Sequence, residues 1–243
     1  SKLIRVGHYY RLYAALCARH GGNRVVDSAA LGRTWQALGD IHTSPAPNGD
    51  APKVEALPTG DVLLSSRVSG GRLLNIFHYL SERNATGAWE QQPVLSQKEN
   101  GSIKALQNST NGEILLVDAR DNATHRPVCL ALQSVPLGPG RANVGIYYKA
   151  LPTNKRRAPE WEHYTAKDFA TGWGGPLKVT TLGSAYSTMV QQTDGRIAFF
   201  YEEETYGKGA CYTNMYVPLT LERITDGKFS ALHTQLPPKA KRR

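Results

Sequence analysis

The 243-residue chain contains no apolar stretch approaching the ~20 residues that a helix needs to cross a bilayer, so no membrane-spanning helix is expected. Cysteine is scarce: Cys17, Cys129 and Cys211 are the three present, and none forms a CxxC pair. An odd, scattered set argues against a disulfide framework while leaving room for one bridge, and Cys129, inside an apolar run, reads as a small core residue. The seven histidines show neither HExxH nor paired-ligand spacing, so neither a metal nor a cofactor is expected from the sequence. Long helical periodicity is missing too; Tyr164–Phe169 offers one helical turn at most. The chain starts at Ser1 with neither an initiator methionine nor a signal peptide, so trimming or processing is expected and the missing leader says little about compartment.

Charge is present in excess of one sign. Lysine and arginine number 29 against 20 aspartates and glutamates, a net +9. Part of this lies in Lys155-Arg156-Arg157 and in a basic tail at about 236–243, ending Lys239-Ala-Lys241-Arg242-Arg243. Neither cluster interleaves aromatics with cations as a single-strand surface does, so a solvated loop and a tail are expected, and nucleic acid is not. Asn84, Asn100, Asn108 and Asn122 each open an Asn-x-Ser/Thr sequon, a short pattern that chance also produces.

What the chain does have is β periodicity. Short apolar or alternating runs occupy Arg11–Arg19, Arg24–Val26, Val62–Val68, Leu73–Leu80, Ile114–Asp118, Val128–Val135, Val144–Ala150, Thr188–Gln191, Ile197–Glu202 and Tyr212–Leu221. Turn signals separate several of them: Gly21-Gly22-Asn23, Pro58-Thr-Gly60, Asn111-Gly112 and Asp194-Gly195. Short strands at fairly regular spacing point to a sandwich, barrel or propeller. Ser28-Ala-Ala-Leu-Gly32-Arg-Thr-Trp35 has the outline of a Ser-x-Asp-x-Gly-x-x-Trp hairpin, the Asp box, with Ala30 in the aspartate position; Ser81 to Gly87-Ala-Trp89 is a looser copy. In such a hairpin the Trp packs between strands, and these two outlines favour the propeller.

Three stretches carry chemistry. Pro52-Lys-Val-Glu-Ala-Leu-Pro-Thr-Gly-Asp-Val-Leu-Leu-Ser-Ser-Arg67 ends a strand on an arginine. Leu137-Gly-Pro-Gly-Arg141-Ala-Asn-Val-Gly-Ile-Tyr-Tyr148 sets another on a Gly/Pro turn. Gly183-Ser-Ala-Tyr186-Ser-Thr is followed by Phe199-Phe-Tyr-Glu202. In this order and spacing they resemble the bacterial exo-α-sialidases (neuraminidases), glycoside hydrolases, over about Arg11 to Thr225. The resemblance implies an all-β fold, a six-bladed β-propeller of the sialidase type. Residues 1–243 would be a single catalytic domain built of the later blades and starting inside the third.

The resemblance also assigns roles. Sialic acid carries a carboxylate on its anomeric carbon, and guanidinium groups hold a carboxylate bidentately; Arg67 and Arg141 match two of the family's three such arginines. A carboxylate nucleophile would meet that charge, so sialidases use a neutral tyrosine, here Tyr186, which needs a glutamate as base. Glu202 matches the glutamate that braces the remaining arginine. The base position, sixteen residues before Arg67, holds Ala51. Asp50 is its neighbour, but a one-residue shift along a regular strand turns a side chain to the other face. No Arg-Ile-Pro segment and no matching acid/base aspartate are found. The expectation is therefore retaining hydrolysis of terminal α-linked sialic acid from glycoproteins, glycolipids and oligosaccharides, with turnover by this chain reduced by Ala51. The alternative is a non-catalytic, lectin-like sialic-acid-binding propeller. Sialylated glycans are the implied partners, and a secreted, cell-surface or periplasmic location goes with them.

Overall fold

A computed structural model describes residues 2–6, 9–18, 21–81, 83–104, 112–151, 163–209 and 211–232. The cluster at 155–157, the tail, the sequon at Asn108 and the turn residue Asn111 lie outside the described residues. The strands form four small antiparallel sheets in chain order. Sheet one holds β1 (Lys2–Val6), β2 (Tyr9–Ala18), β3 (Gly22–Ser28) and β4 (Gln36–Ala37). Sheet two holds β5 (Asp50–Ala56), β6 (Val62–Val68), β7 (Gly71–Ser81), β8 (Thr86–Trp89) and β9 (Val94–Gln97), which pairs with β7. Sheet three is built on β10 (Ile114–Asp121), β11 (Pro127–Pro136), β12 (Val144–Leu151) and β13 (Gly174–Lys178), and sheet four on β14 (Ser184–Gln191), β15 (Ile197–Glu203) and β16 (Thr213–Leu219). After helix α1 (Leu221–Thr225) the chain returns as β17 (Phe229–Ala231) to the edge of sheet three, beside β10.

Each sheet buries alternate residues against the next, as period-2 side chains require. Tyr13, Val25 and Leu38 of sheet one meet Val62, Leu64, Phe77 and Tyr79 of sheet two. Leu63, Leu74 and Ile76, on the opposite face of sheet two, meet Ile114, Ala131 and Val135 of sheet three. Leu115, Leu130, Leu132 and Ile146 meet Met189, Ile197 and Phe199 of sheet four. At roughly 1.5–3 kcal/mol per fully buried large aliphatic or aromatic side chain, these three interfaces are the main cohesive term.

The all-β expectation holds, and the six-bladed propeller is corrected. The described residues form four small sheets in a propeller-like arrangement, joined by three inter-sheet cores. The outward faces of the two end sheets stay open: Tyr10 and Leu16 on sheet one, and Val190, Phe200 and Tyr216 on sheet four, are 44–56% exposed.

Two local readings also change. The hairpin after β3 is closed by Ser28, whose Oγ accepts from the amides of Ala30 (3.2 Å) and Gly32 (2.9 Å), while Trp35 stays 43% exposed and donates Nε1–H to the Gly32 carbonyl. Lacking an acid at position 30, the turn is held by the serine, and its tryptophan does not pack between strands. Trp89 does pack, edge-on against Phe77, and donates to the Leu38 carbonyl at 2.7 Å. The run read as Tyr212–Leu221 stops at Leu219, where Thr220 caps α1 by accepting from the Arg223 amide.

Candidate functional site

A belt of hydrogen bonds crosses all four sheets at one level. Asn23 donates to Ser66 Oγ at 2.8 Å, joining sheets one and two. Ser65 Oγ donates to Gln133 Oε1 at 2.8 Å, joining two and three, and Ser134 and Ser187 share a 2.9 Å hydroxyl–hydroxyl bond joining three and four. The sequence-predicted residues sit just beyond this belt, at one rim. Arg67 is two residues past Ser65 on β6; Arg141 lies in the turn that leaves β11 after Ser134; Tyr186 precedes Ser187 on β14. Because β6 and β11 run toward this rim and β14 starts from it, one edge collects all three.

The rim divides into two groups. In the first, Tyr186 and Arg141 meet: the guanidinium lies 5.8 Å from the phenol ring centroid, within cation–π range. Backbone bonds from Ser184 N to Arg141 O (2.9 Å) and Asn143 N to Leu182 O (3.0 Å) hold the arginine turn against the head of β14. Glu202, across the β14–β15 pair, accepts the Tyr186 amide at 3.3 Å. Tyr186 is 43% exposed, on the outward face of sheet four.

In the second group Arg67 NH2 is ion-paired with Asp50 Oδ2. The pairing follows from a bulge. Lys53 stands opposite Ser65 and Asp50 opposite Arg67, so β5 carries one more residue than β6 between these pairs. Ala51, in the bulge, has φ +41°, a left-handed value uncommon for a residue with a Cβ. The shift that would have turned Asp50 away is cancelled, and Asp50 takes the place beside Arg67. Its Oδ1 also accepts from the Ala51 amide (2.6 Å) and the Cys17 thiol (3.0 Å). Among the described residues no hydrogen bond or ion pair joins this group to the first.

Sequence reasoning missed Arg72. It stands opposite Arg67 on β7, is 1% exposed, and donates Nε–H and NH2 to the hydroxyl and carbonyl of Ser65, each at 3.0 Å. Burial brings its pKa down to about 9, opposed by the charge of Glu113. In Gly70-Gly71-Arg72 it reads as a hairpin-tip cation; no local signal marks it as interior.

Between the sheets lies a cavity of about 620 Å³ lined by β2 (Tyr13, Ala15), β5 (Lys53, Glu55), Glu113 and β14 (Met189). Lys53 and Glu113 pair at 3.2 Å, and Thr188 donates to the same Glu113 oxygen at 2.9 Å. The volume falls in the range of small-molecule sites, ~300–1,000 Å³.

The all-β arc and its charged rim define a class before any relative is considered: a propeller-like scaffold with its candidate groups at the ends of adjacent strands. No known family profile matches the chain, and no curated protein matches its sequence. Solved structures do match. The intramolecular trans-sialidase from Ruminococcus gnavus, in complex with oseltamivir carboxylate, is similar at TM-score 0.58 and 16% identity over 88% of this chain. The leech intramolecular trans-sialidase, complexed with 2,7-anhydro-Neu5Ac, matches at 0.62 and 14% over 89%, and the NanB sialidase from Streptococcus pneumoniae at 0.61 and 15% over 92%. The chain spans 41%, 30% and 31% of these three chains, respectively. The fold is sialidase-like.

Proposed function

We propose that this chain is a sialidase-type carbohydrate-binding or carbohydrate-cleaving domain that takes terminal α-linked sialic acid. The observation that carries the reading is the Arg141–Tyr186 contact, with Glu202 on the tyrosine amide, on the same rim as Arg67. Arg141 and Arg67 would clamp the ligand carboxylate, and Arg72 adds positive potential behind Arg67. In the exo-α-sialidase form, Tyr186 attacks the anomeric carbon, the glycosidic bond breaks with its electrons on the leaving oxygen, and water later displaces the tyrosine with net retention. The phenol proton needs an acceptor, and Ala51 offers none.

The second reading, a non-catalytic sialic-acid-binding module, is favoured by that same alanine. A single 1–243 domain and a secreted, cell-surface or periplasmic location go with either reading, since sialylated glycans are displayed there. The test is saturation-transfer NMR of sialyllactose against lactose, together with release of the aglycone from an aryl α-sialoside. Binding that requires the sialyl group and is lost in Arg141→Ala supports the ligand; turnover lost in Tyr186→Phe with binding retained supports the enzyme. Binding with no turnover by the wild-type chain selects the module. Equal signals from lactose and sialyllactose overturn both.

A further inference from the structure

At the opposite end of β6 from Arg67, six residues and about 20 Å away at ~3.3 Å per residue, three side chains converge that nothing above uses. Asp61 is fully buried in the turn before β6. Its Oδ2 lies 3.3 Å from His78 Nδ1 on β7 and 2.9 Å from His163 Nδ1, and one ligand atom from each residue lies within 4.8 Å of the others. The outer contacts orient the set. His78 Nε2 lies 3.0 Å from Glu90 Oε1, the Glu90 carboxylate accepts the Ala166 amide at 3.0 Å, and Asp61 accepts from the Tyr79 amide and the Thr59 hydroxyl, both at 3.1 Å.

We propose that Asp61, His78 and His163 form a binding site for a divalent transition metal of the zinc type. Three observations favour it over a plain hydrogen-bonded cluster. The donor set, two imidazoles and one carboxylate, is one zinc accepts, with a water free to complete a tetrahedron. The spacing is compatible: bonds of ~2.0–2.1 Å imply tetrahedral edges of about 3.3 Å, against carboxylate–imidazole distances of 3.3 and 2.9 Å and imidazole nitrogens within 4.8 Å of each other. The far nitrogen of His78 faces a carboxylate, the arrangement that fixes the tautomer and orientation of a metal-binding histidine. On binding, the metal replaces the protons that bridge each Nδ1 to Asp61. It would tie the β5–β6 turn and β7 to the segment that leads into the 3₁₀ turn Ala166–Phe169. The site was not legible from spacing because its histidines stand 17 and 102 residues from Asp61.

The test uses untagged chain, stripped with chelator and dialysed, then titrated with Zn²⁺ and Co²⁺. Expected are about one metal per chain, a thermal midpoint raised by several degrees with zinc, and tetrahedral cobalt bands without thiolate charge transfer. The Cys17→Ser/Cys211→Ser double variant keeps all three results; His163→Ala and His78→Gln, checked for retained fold by circular dichroism, lose them. Absence of stoichiometric metal, equal binding by both folded histidine variants, or cobalt–thiolate bands that vanish in the cysteine variant would overturn the site. If neither histidine variant folds, the cobalt spectrum of the wild-type chain decides between nitrogen/oxygen and sulfur ligation. None of these outcomes bears on sialoside binding at the far rim.

Discussion

At the rim, the guanidinium of Arg67 already has an anion beside it. Asp50 supplies that anion because the bulge at Ala51 re-aims the start of β5. A ligand carboxylate arriving there meets a cation half neutralised and a like charge a few ångströms away. Removing that charge is expected to tighten sialyllactose binding by up to about 5-fold in Asp50→Asn, since an exposed ion pair is worth ~1 kcal/mol or less. Isothermal titration measures it; weaker binding would instead make Asp50 the residue that positions Arg67. The candidate residues themselves could be found in sequence because an arginine after Gly-Pro-Gly, or a tyrosine after Gly-Ser-Ala, carries its signal locally. The placement of Asp50 beside Arg67 and the burial of Arg72 could not, since a bulge and the burial of a charge are settled by what packs across from them.

At the level of single strands, boundaries were most readable where both faces are buried. Val62–Val68 is β6 to the residue, and β11 and β12 extend the runs at 128–135 and 144–150 by one residue at most at each end. β1, β4, β5, β8, β9, β13 and β17 escaped, being two to seven residues long with partly exposed or edge positions and too little pattern to mark them. Turns were read where glycine takes a left-handed φ at Gly22 (+74°), Gly60 (+90°) and Gly195 (+85°), but not at Gly101 (+69°), Gly172 (+77°) or Gly227 (+76°). Gly71 matters for a different reason. A Cβ there would sit 2.2 Å from the Ser96 carbonyl of β9, the strand that pairs with β7 at this point. Gly71→Ala is expected to cost about 1–3 kcal/mol by overpacking, read as a lower urea midpoint with unchanged slope; an unshifted midpoint would mean that β9 gives way freely.

Across the whole molecule, cohesion rests on three inter-sheet cores that also bury phenols. Burial, and then the neighbouring Tyr79, hold the Tyr13 hydroxyl well above the ordinary tyrosine range. Burial and a 2.8 Å bond to Glu203 push Tyr201 up to about 12. An unfolded phenol titrates near ~10. A folded pKa above the unfolded one leaves the contribution intact below pH ~10 and removes it as pH climbs toward the folded value. Denaturation midpoints should therefore fall between about pH 10 and 12 in step with rising phenolate absorbance, and Tyr201→Phe should flatten that fall. A midpoint that holds steady to pH 12 would count against the buried phenols as the cause.

The belt Asn23–Ser66, Ser65–Gln133 and Ser134–Ser187 has a mechanical meaning. Apolar faces attract without direction and tolerate sliding; hydrogen bonds tolerate little. Each joint therefore acts as a key in a slot, locking one sheet in register with its neighbour along the strand axis. Errors of alignment then do not accumulate from the first sheet to the fourth, and side chains borrowed from separate sheets arrive at a common height.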